Sequence, residues 1–72
     1  MNKDIIEGKW NEVKGKIKET WAKFTDDDVT AMKGNYDELH GHLQKKYGYD
    51  KDKANEEINN FVKKNKLDDE NK

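Results

Sequence analysis

The chain has 72 residues, of which 31% are apolar and 43% are charged, with a net charge of −1 and neither Cys nor Pro. The absence of Cys excludes disulfides and thiolate metal sites, and the length allows one small domain that depends on a thin apolar core. No segment approaches the ~18 apolar residues of a membrane span and no apolar run follows a basic start, so we expect a cytoplasmic protein.

Three segments carry apolar residues at steps of three and four, the spacing that defines one face of an α-helix. The first stripe comprises Ile6, Trp10, Val13, Ile17, Trp21 and Phe24; the second comprises Val29, Met32, Tyr36, Leu39, Leu43 and Tyr47; the third comprises Ala54, Ile58, Phe61 and Val62. The sequence therefore predicts an all-α bundle. The three stripes would pack against one another, with Trp10 and Trp21 largely buried.

Polar residues mark the boundaries between these segments. Thr25, followed three residues later by Asp28, approximates a capping box at the start of a helix. Gly48 follows two lysines and a tyrosine, the order typical of a helix C-terminus, and Asp50 suits the N-cap of the last helix. We expect one domain over residues 1–66 and a polar, frayed tail over 67–72.

An internal repeat with a constant offset of 26 residues relates the first two segments. It aligns Gly8, Trp10, Val13, Gly15, Ile17 and Trp21 with Gly34, Tyr36, Leu39, Gly41, Leu43 and Tyr47. The glycines either lie inside long helices or break each half into a short and a longer helix. We favour breaks, because Ala would serve close packing nearly as well. That interpretation predicts four to five short helices, with Gly8 and Gly34 at positive φ.

The residues that carry chemistry form no recognisable site. The run Asp26–Asp28 fits helix capping better than cation binding, because consecutive carboxylates diverge around a helix axis. His40 and His42 point about 200° apart on a helix and cannot share a metal without a local break in that helix. There is no Ser or Cys nucleophile. We therefore expect no catalytic, cofactor-binding or metal-binding residues, no cofactor and no enzymatic activity.

The basic residues give little support for nucleic-acid binding. All 15 are Lys, and residues 1–24 hold six of them against four acidic residues. Without Arg the chain lacks the main bidentate reader of guanine and phosphate, so we expect no specific nucleic acid partner. A Lys-rich amphipathic helix with tryptophans can also lie on an anionic membrane. The first stripe is more simply explained as part of the core, since the other two stripes are its natural partners.

Several short motifs resemble the CsbD-like family of small bacterial stress proteins. They are Gly8-Lys9-Trp10, Gly15-Lys16, Lys18-Glu19, Trp21, Thr25 to Asp28 and Tyr47-Gly48-Tyr49. The resemblance covers Met1 to about Val62. It implies a cytosolic bacterial protein of the general stress response, with a compact all-α fold and no catalytic residues. The chain differs from the family pattern in lacking Arg, in having His40 and His42 around Gly41, and in its acidic tail.

Three classes of function are compatible with these observations. The first is a non-catalytic interaction or structural module, which is the interpretation we favour, with a protein as its partner and the chain itself a monomer. The second is a hydrophilin-like protectant, suggested by the mean hydropathy of −1.46 and the balanced charge. The third is a peripheral membrane-surface binder that uses residues 3–23.

Overall fold

The computed structural model describes residues 2–67, and within them it contains five α-helices and no strand. The helices are α1 (Asn2–Gly8), α2 (Trp10–Thr20), α3 (Asp26–Met32), α4 (Tyr36–Tyr47) and α5 (Lys51–Lys64). This arrangement confirms the predicted all-α class and the predicted number of short helices. None of the described helices is long and apolar enough to cross a bilayer.

The 26-residue repeat corresponds to two helical units of the same design. Each unit is a seven-residue helix, a break and a longer helix, and the longer helices begin at the equivalent positions Trp10 and Tyr36. The breaks thus occur next to Gly8 and Gly34, as the sequence indicated. The other two glycines of the repeat, Gly15 and Gly41, lie inside continuous helix.

The predicted helix caps are present and well formed. Thr25 Oγ1 accepts the Asp28 backbone N–H at 3.1 Å, while the Asp28 carboxylate accepts the Thr25 N–H at 3.0 Å, which completes the capping box. Asp50 caps α5 by accepting the Lys53 N–H at 2.7 Å. Gly48 ends α4 in the left-handed conformation at φ 70°, where Gly avoids the Cβ clash. Side chains close to each break therefore determine where these helices begin and end.

One apolar core connects all five helices. Among the described residues its fully buried members are all apolar, and no polar or charged residue is buried with them. The core consists of Ile6, Val13, Ile17, Trp21, Phe24, Val29, Met32, Leu39, Leu43, Ala54, Ile58, Phe61, Val62 and Leu67. Helix α4 is central, because it packs against α1, α3 and α5. The three predicted stripes therefore do face one another.

Two expectations about burial need correction. Trp10 is only half-buried, and its ring lies over Gly34 at the edge of the core. Leu67, assigned from sequence to a polar tail, is 1% exposed and belongs to the core. Its backbone N–H donates to Val62 O at 3.0 Å, and its carbonyl accepts from Lys9 Nζ at 2.9 Å. The rest of the predicted tail, 68–72, lies outside the described residues.

The two breaks differ in backbone conformation, which contradicts the expectation that Gly8 and Gly34 both adopt positive φ. In the first unit a single residue, Lys9 at φ −116° and ψ 31°, separates α1 from α2, and Gly8 does not adopt positive φ. In the second unit Lys33 and Gly34 both adopt positive φ, at 55° and 72°. Only Gly34 therefore needs to be glycine for its backbone conformation.

Substitution of these two glycines should change stability in different ways. A Cβ at Gly34 would lie 3.2 Å from the Trp10 ring in a left-handed conformation, so Gly34→Ala should lower the free energy of unfolding by about 1–2 kcal/mol. A Cβ at Gly8 has no atom within 4 Å, so Gly8→Ala should leave stability unchanged or raise it by up to about 1 kcal/mol. Urea titration of both variants measures the difference, and destabilisation by Gly8→Ala would contradict it.

Trp21 combines a large buried ring with a buried indole N–H that has no hydrogen-bond partner within residues 2–67. Its ring packs against Phe24 and Phe61, with centroid distances of 6.1 and 4.9 Å. Trp21→Ala should therefore cost about 3–5 kcal/mol and unfold most of the domain. Trp21→Phe retains an aromatic ring and removes the unpartnered donor, so it should cost clearly less than Trp21→Ala despite the smaller ring. Far-UV circular dichroism and urea titration distinguish these outcomes.

Candidate interaction surface

An open groove of about 410 Å³ lies between α2 and α3. Lys14, Gly15 and Lys18 of α2 line one side, and Asp26, Val29 and Thr30 of α3 line the other. Val29 belongs to the core, whereas the polar residues around it are exposed to solvent. The groove thus has an apolar contribution from the core, one basic edge and one acidic edge.

Gly15 occupies an unusual position in this groove. It is exposed, it lies in the middle of α2, and a Cβ built on it would have no side chain or neighbouring element within 4 Å. Glycine at such a position destabilises a helix by about 1 kcal/mol relative to Ala. Gly41, the repeat-equivalent residue of α4, has the same surroundings. No contact within the described part of the domain therefore accounts for either glycine.

The acidic edge of the groove comes from the aspartates that begin α3. Lys18 Nζ contacts the Asp26 carboxylate across the groove, and Lys46 Nζ lies 3.0 Å from Asp28 Oδ2. Asp27, which lies between Asp26 and Asp28 in the sequence, is exposed and forms no ion pair within residues 2–67. Asp26 and Asp28 thus have different partners and Asp27 has none among the described residues, so the run does not converge on one point, and ion pairing and helix capping are the structural roles of Asp26 and Asp28.

Ion pairing and helix capping hold two of these carboxylates in their charged form. Lys18 lowers the pKa of Asp26 through a side-chain hydrogen bond and its charge. The Thr25 backbone N–H and then Lys46 lower the pKa of Asp28. These shifts favour the ionised carboxylates, whereas a general acid at neutral pH needs a raised pKa.

The two tyrosines of the motif Tyr47-Gly48-Tyr49 hold neighbouring segments together through ring and lysine contacts. The two tyrosine rings stack at 5.4 Å, Lys23 Nζ lies 5.0 Å from the centre of the Tyr47 ring, and Lys53 Nζ lies 5.7 Å from that of Tyr49. The Lys23 backbone N–H also donates to Tyr47 Oη at 3.1 Å. These contacts connect the segment after α2 to the end of α4 and the start of α5, so the motif has a structural explanation.

The two histidines are held by different backbone carbonyls. His40 Nε2 lies 3.2 Å from Lys51 O, and His42 Nδ1 lies 2.7 Å from Glu38 O, one turn earlier in α4. Within residues 2–67 no three His, Cys, Asp or Glu side chains converge in a way that could hold a metal ion. Neither histidine lines the α2–α3 groove.

The groove itself was not predicted from the sequence, although one signal pointed to it. Gly15 is two residues from Val13 and from Ile17, so on a helix it falls on the face opposite the apolar stripe. An outward-facing glycine in a helix has no role in core packing. The position of α3 beside this face depends on tertiary packing. The hydrophobic periodicity of the sequence does not specify such packing.

The architecture defines a class of small all-α proteins built from two helix–break–helix units and a closing helix, without a recognisable reaction centre in the described residues. Residues 4–56 match the CsbD-like family, and the chain belongs to that family. This confirms the resemblance found in the motifs. No solved structure is similar enough to count as a match.

Similar bacterial proteins align with most of the chain. The UPF0337 protein YjbJ of Escherichia coli K12 is 48% identical over 65 residues, which cover 90% of this chain and 94% of YjbJ. YjbJ of Salmonella typhimurium is 48% identical, covering 90% of this chain and 93% of its own. A UPF0337 protein of Pseudomonas aeruginosa is 48% identical, with coverage of 85% and 94%. None of these names states a biochemical activity.

The lowered pKa values of Asp26 and Asp28 predict how stability changes with pH. Because the folded state binds these protons less tightly than the unfolded chain, the stabilisation exists above the ordinary pKa of 3.8 and disappears as the pH falls through the lower, folded-state values. Asp28→Asn should lower the melting temperature at pH 7, and the difference from the parent should vanish in acid. Asp27→Asn is the matched control and should change the melting temperature less. A difference for Asp28→Asn that is equal at pH 7 and pH 2 would contradict the assignment.

Proposed function

We propose that this protein is a non-catalytic interaction module of the bacterial stress response, which works in the cytoplasm and recognises a protein partner with its folded surface. The observation that carries the proposal is the closed core. Apolar side chains from all five helices and Leu67 meet in it, with no buried polar or charged residue among those described. Each chain completes this core by itself, which supports a monomer as the folded unit, and the groups able to recognise a partner then lie on its surface.

The chemistry of the groove supports a binding role over catalysis. Catalytic groups are typically desolvated and have pKa values shifted toward neutrality. In this groove Lys18 and Asp26 are exposed, with side chains 43% and 81% accessible, and they neutralise each other. Such a pair provides charge and shape for a partner but no poised acid or base.

The core also weighs against the two alternatives. A hydrophilin-like protectant works without a fixed fold, whereas this chain packs aliphatic side chains together with the rings of Trp21, Phe24 and Phe61 in one buried core. A membrane-surface helix over 3–23 would have to present Val13, Ile17 and Trp21 to lipid. All three are buried by other helices of the domain. Membrane binding through this stripe would therefore require the domain to open.

A denaturation experiment tests whether the chain acts as a folded module. We expect a single cooperative transition by circular dichroism, with Trp fluorescence at 25 °C shifted to shorter wavelength than free indole because Trp21 is 3% exposed. The matched variant is Trp21→Phe, in which the remaining emission comes from the half-buried Trp10. A gradual, non-cooperative change with heating would support the protectant instead.

Co-sedimentation with anionic vesicles tests the membrane alternative separately. At about 0.15 M salt we expect no saturable binding, because the lysines of α2 are interspersed with acids and screened. Ile58→Asp, which should open the core from α5 and leave the apolar stripe of residues 3–23 unchanged, serves as a positive control for exposure of the stripe. Saturable binding by the folded parent protein, with its helix content unchanged, would refute the module proposal for this surface.

A further inference from the structure

The α2–α3 face, defined as Lys14, Gly15, Lys18, Asp26, Asp27 and Thr30, has features that the isolated domain does not explain. The groove at its centre is open, and Gly15 lowers helix propensity without relieving any contact inside the domain. A helical glycine whose backbone is uncovered permits another backbone to approach closely. Gly15 thus lies uncovered beside an open groove whose two edges carry opposite charges, and a second molecule could cover both.

We propose that two copies of this chain associate reversibly through the α2–α3 face, with α2 of each copy over α3 of the other. The inference rests on the proposed function and names its partner as a second copy. The domain folds within one chain, so the association is a concentration-dependent pairing of folded monomers.

Charge complementarity favours a second copy of the chain as the partner, and it favours the orientation in which α2 of each copy lies over α3 of the other. The α2 edge of the groove carries Lys14 and Lys18, and the α3 edge carries Asp26, which the exposed Asp27 follows in the chain. Lys18 and Asp26 already pair within one chain, so Lys14 and Asp27 are the charges left for contacts between copies. A two-fold axis that runs along the groove places each basic edge over the acidic edge of the other copy, so every contact is made twice. A two-fold axis across the groove would instead place lysines over lysines, which is repulsive.

The sizes of the side chains agree with this orientation. Beside Asp26, the exposed α3 residue that lines the groove is Thr30, whose side chain is small. In the proposed pair it faces Gly15 of the other copy, so the two helices can approach without a large side chain between them. The face is small and its charges are exposed, which places the association in the weak, transient class.

Gly15→Ala and Gly41→Ala form a matched pair for the test. Both glycines are exposed within a helix and surrounded by open space, but only Gly15 lines the groove. Each change should raise the melting temperature of the dilute protein by about 4–8 °C. In sedimentation equilibrium up to about 1 mM protein, Gly15→Ala should weaken self-association about fivefold or more, while Gly41→Ala should leave it within about twofold. The parent protein should also associate less at about 1 M salt than at about 0.1 M.

Charge exchange between copies provides a second measurement. Lys14→Glu alone and Asp27→Lys alone should each weaken self-association, because each places like charges together at both symmetric contacts. An equimolar mixture of the two variants should associate as well as the parent, since each copy then meets the opposite charge. Lys63→Glu mixed with Glu56→Lys on α5 has the same net charges and should show no such rescue.

Three results would overturn the inference. They are a parent protein that stays monomeric at about 1 mM, equal effects of Gly15→Ala and Gly41→Ala on association, and no gain in the Lys14→Glu and Asp27→Lys mixture over its separate components. A parent that stays monomeric yet melts cooperatively would refute the self-pairing alone. A parent without a cooperative transition would refute the folded-module proposal itself, so the two failures are distinguishable.

Discussion

Burial of a small set of apolar side chains in one shared core is the constraint on which this structure depends. Every Leu, Val and Phe and all but one Ile of the chain is fully buried, the exception being Ile5, which packs partly against the core. In a domain of this size the buried fraction of the surface is only about 60%, so few apolar groups are available to compensate for a lost contact. The helices depend on one another for the same reason, because each is too short to be stable alone and is stabilised by packing against the others.

Much of this fold could be predicted because the relevant information is local. The three- and four-residue steps identify the buried face of each helix, and Thr25, Gly48 and Asp50 act on backbone groups within a few residues of themselves. Leu67 is different. It is a lone apolar residue in a polar segment, and its burial depends on the turn after α5, where Lys66 adopts φ 56° and Leu67 N–H reaches Val62 O. Hydrophobic periodicity contains no sign of such a turn.

The repeat shows how far sequence similarity between the two halves extends into conformation. The order of helices is duplicated, yet the break at Lys9 is one residue long while the break at Lys33 to Asn35 contains two left-handed residues. Trp10 explains part of the difference, because its ring lies over Gly34 and occupies the space a side chain there would need. A repeat therefore predicts equivalent elements, but tertiary contacts between the halves determine the backbone at each break.

The same core constraint limits how the protein recognises other molecules. Because the apolar side chains are committed to folding, a binding surface must be made from charged groups, small residues and backbone. All of the basic groups are Lys, which lacks the planar, bidentate geometry of Arg and is strongly hydrated. Exposed Lys–Asp pairs each contribute at most about 1 kcal/mol and are screened by salt, so any single contact of this kind is weak. Close backbone approach at an uncovered glycine adds dispersion contacts that do not depend on salt. A groove that combines Gly15 with oppositely charged edges joins these two contributions, with charge setting the orientation and close packing supplying the remaining affinity.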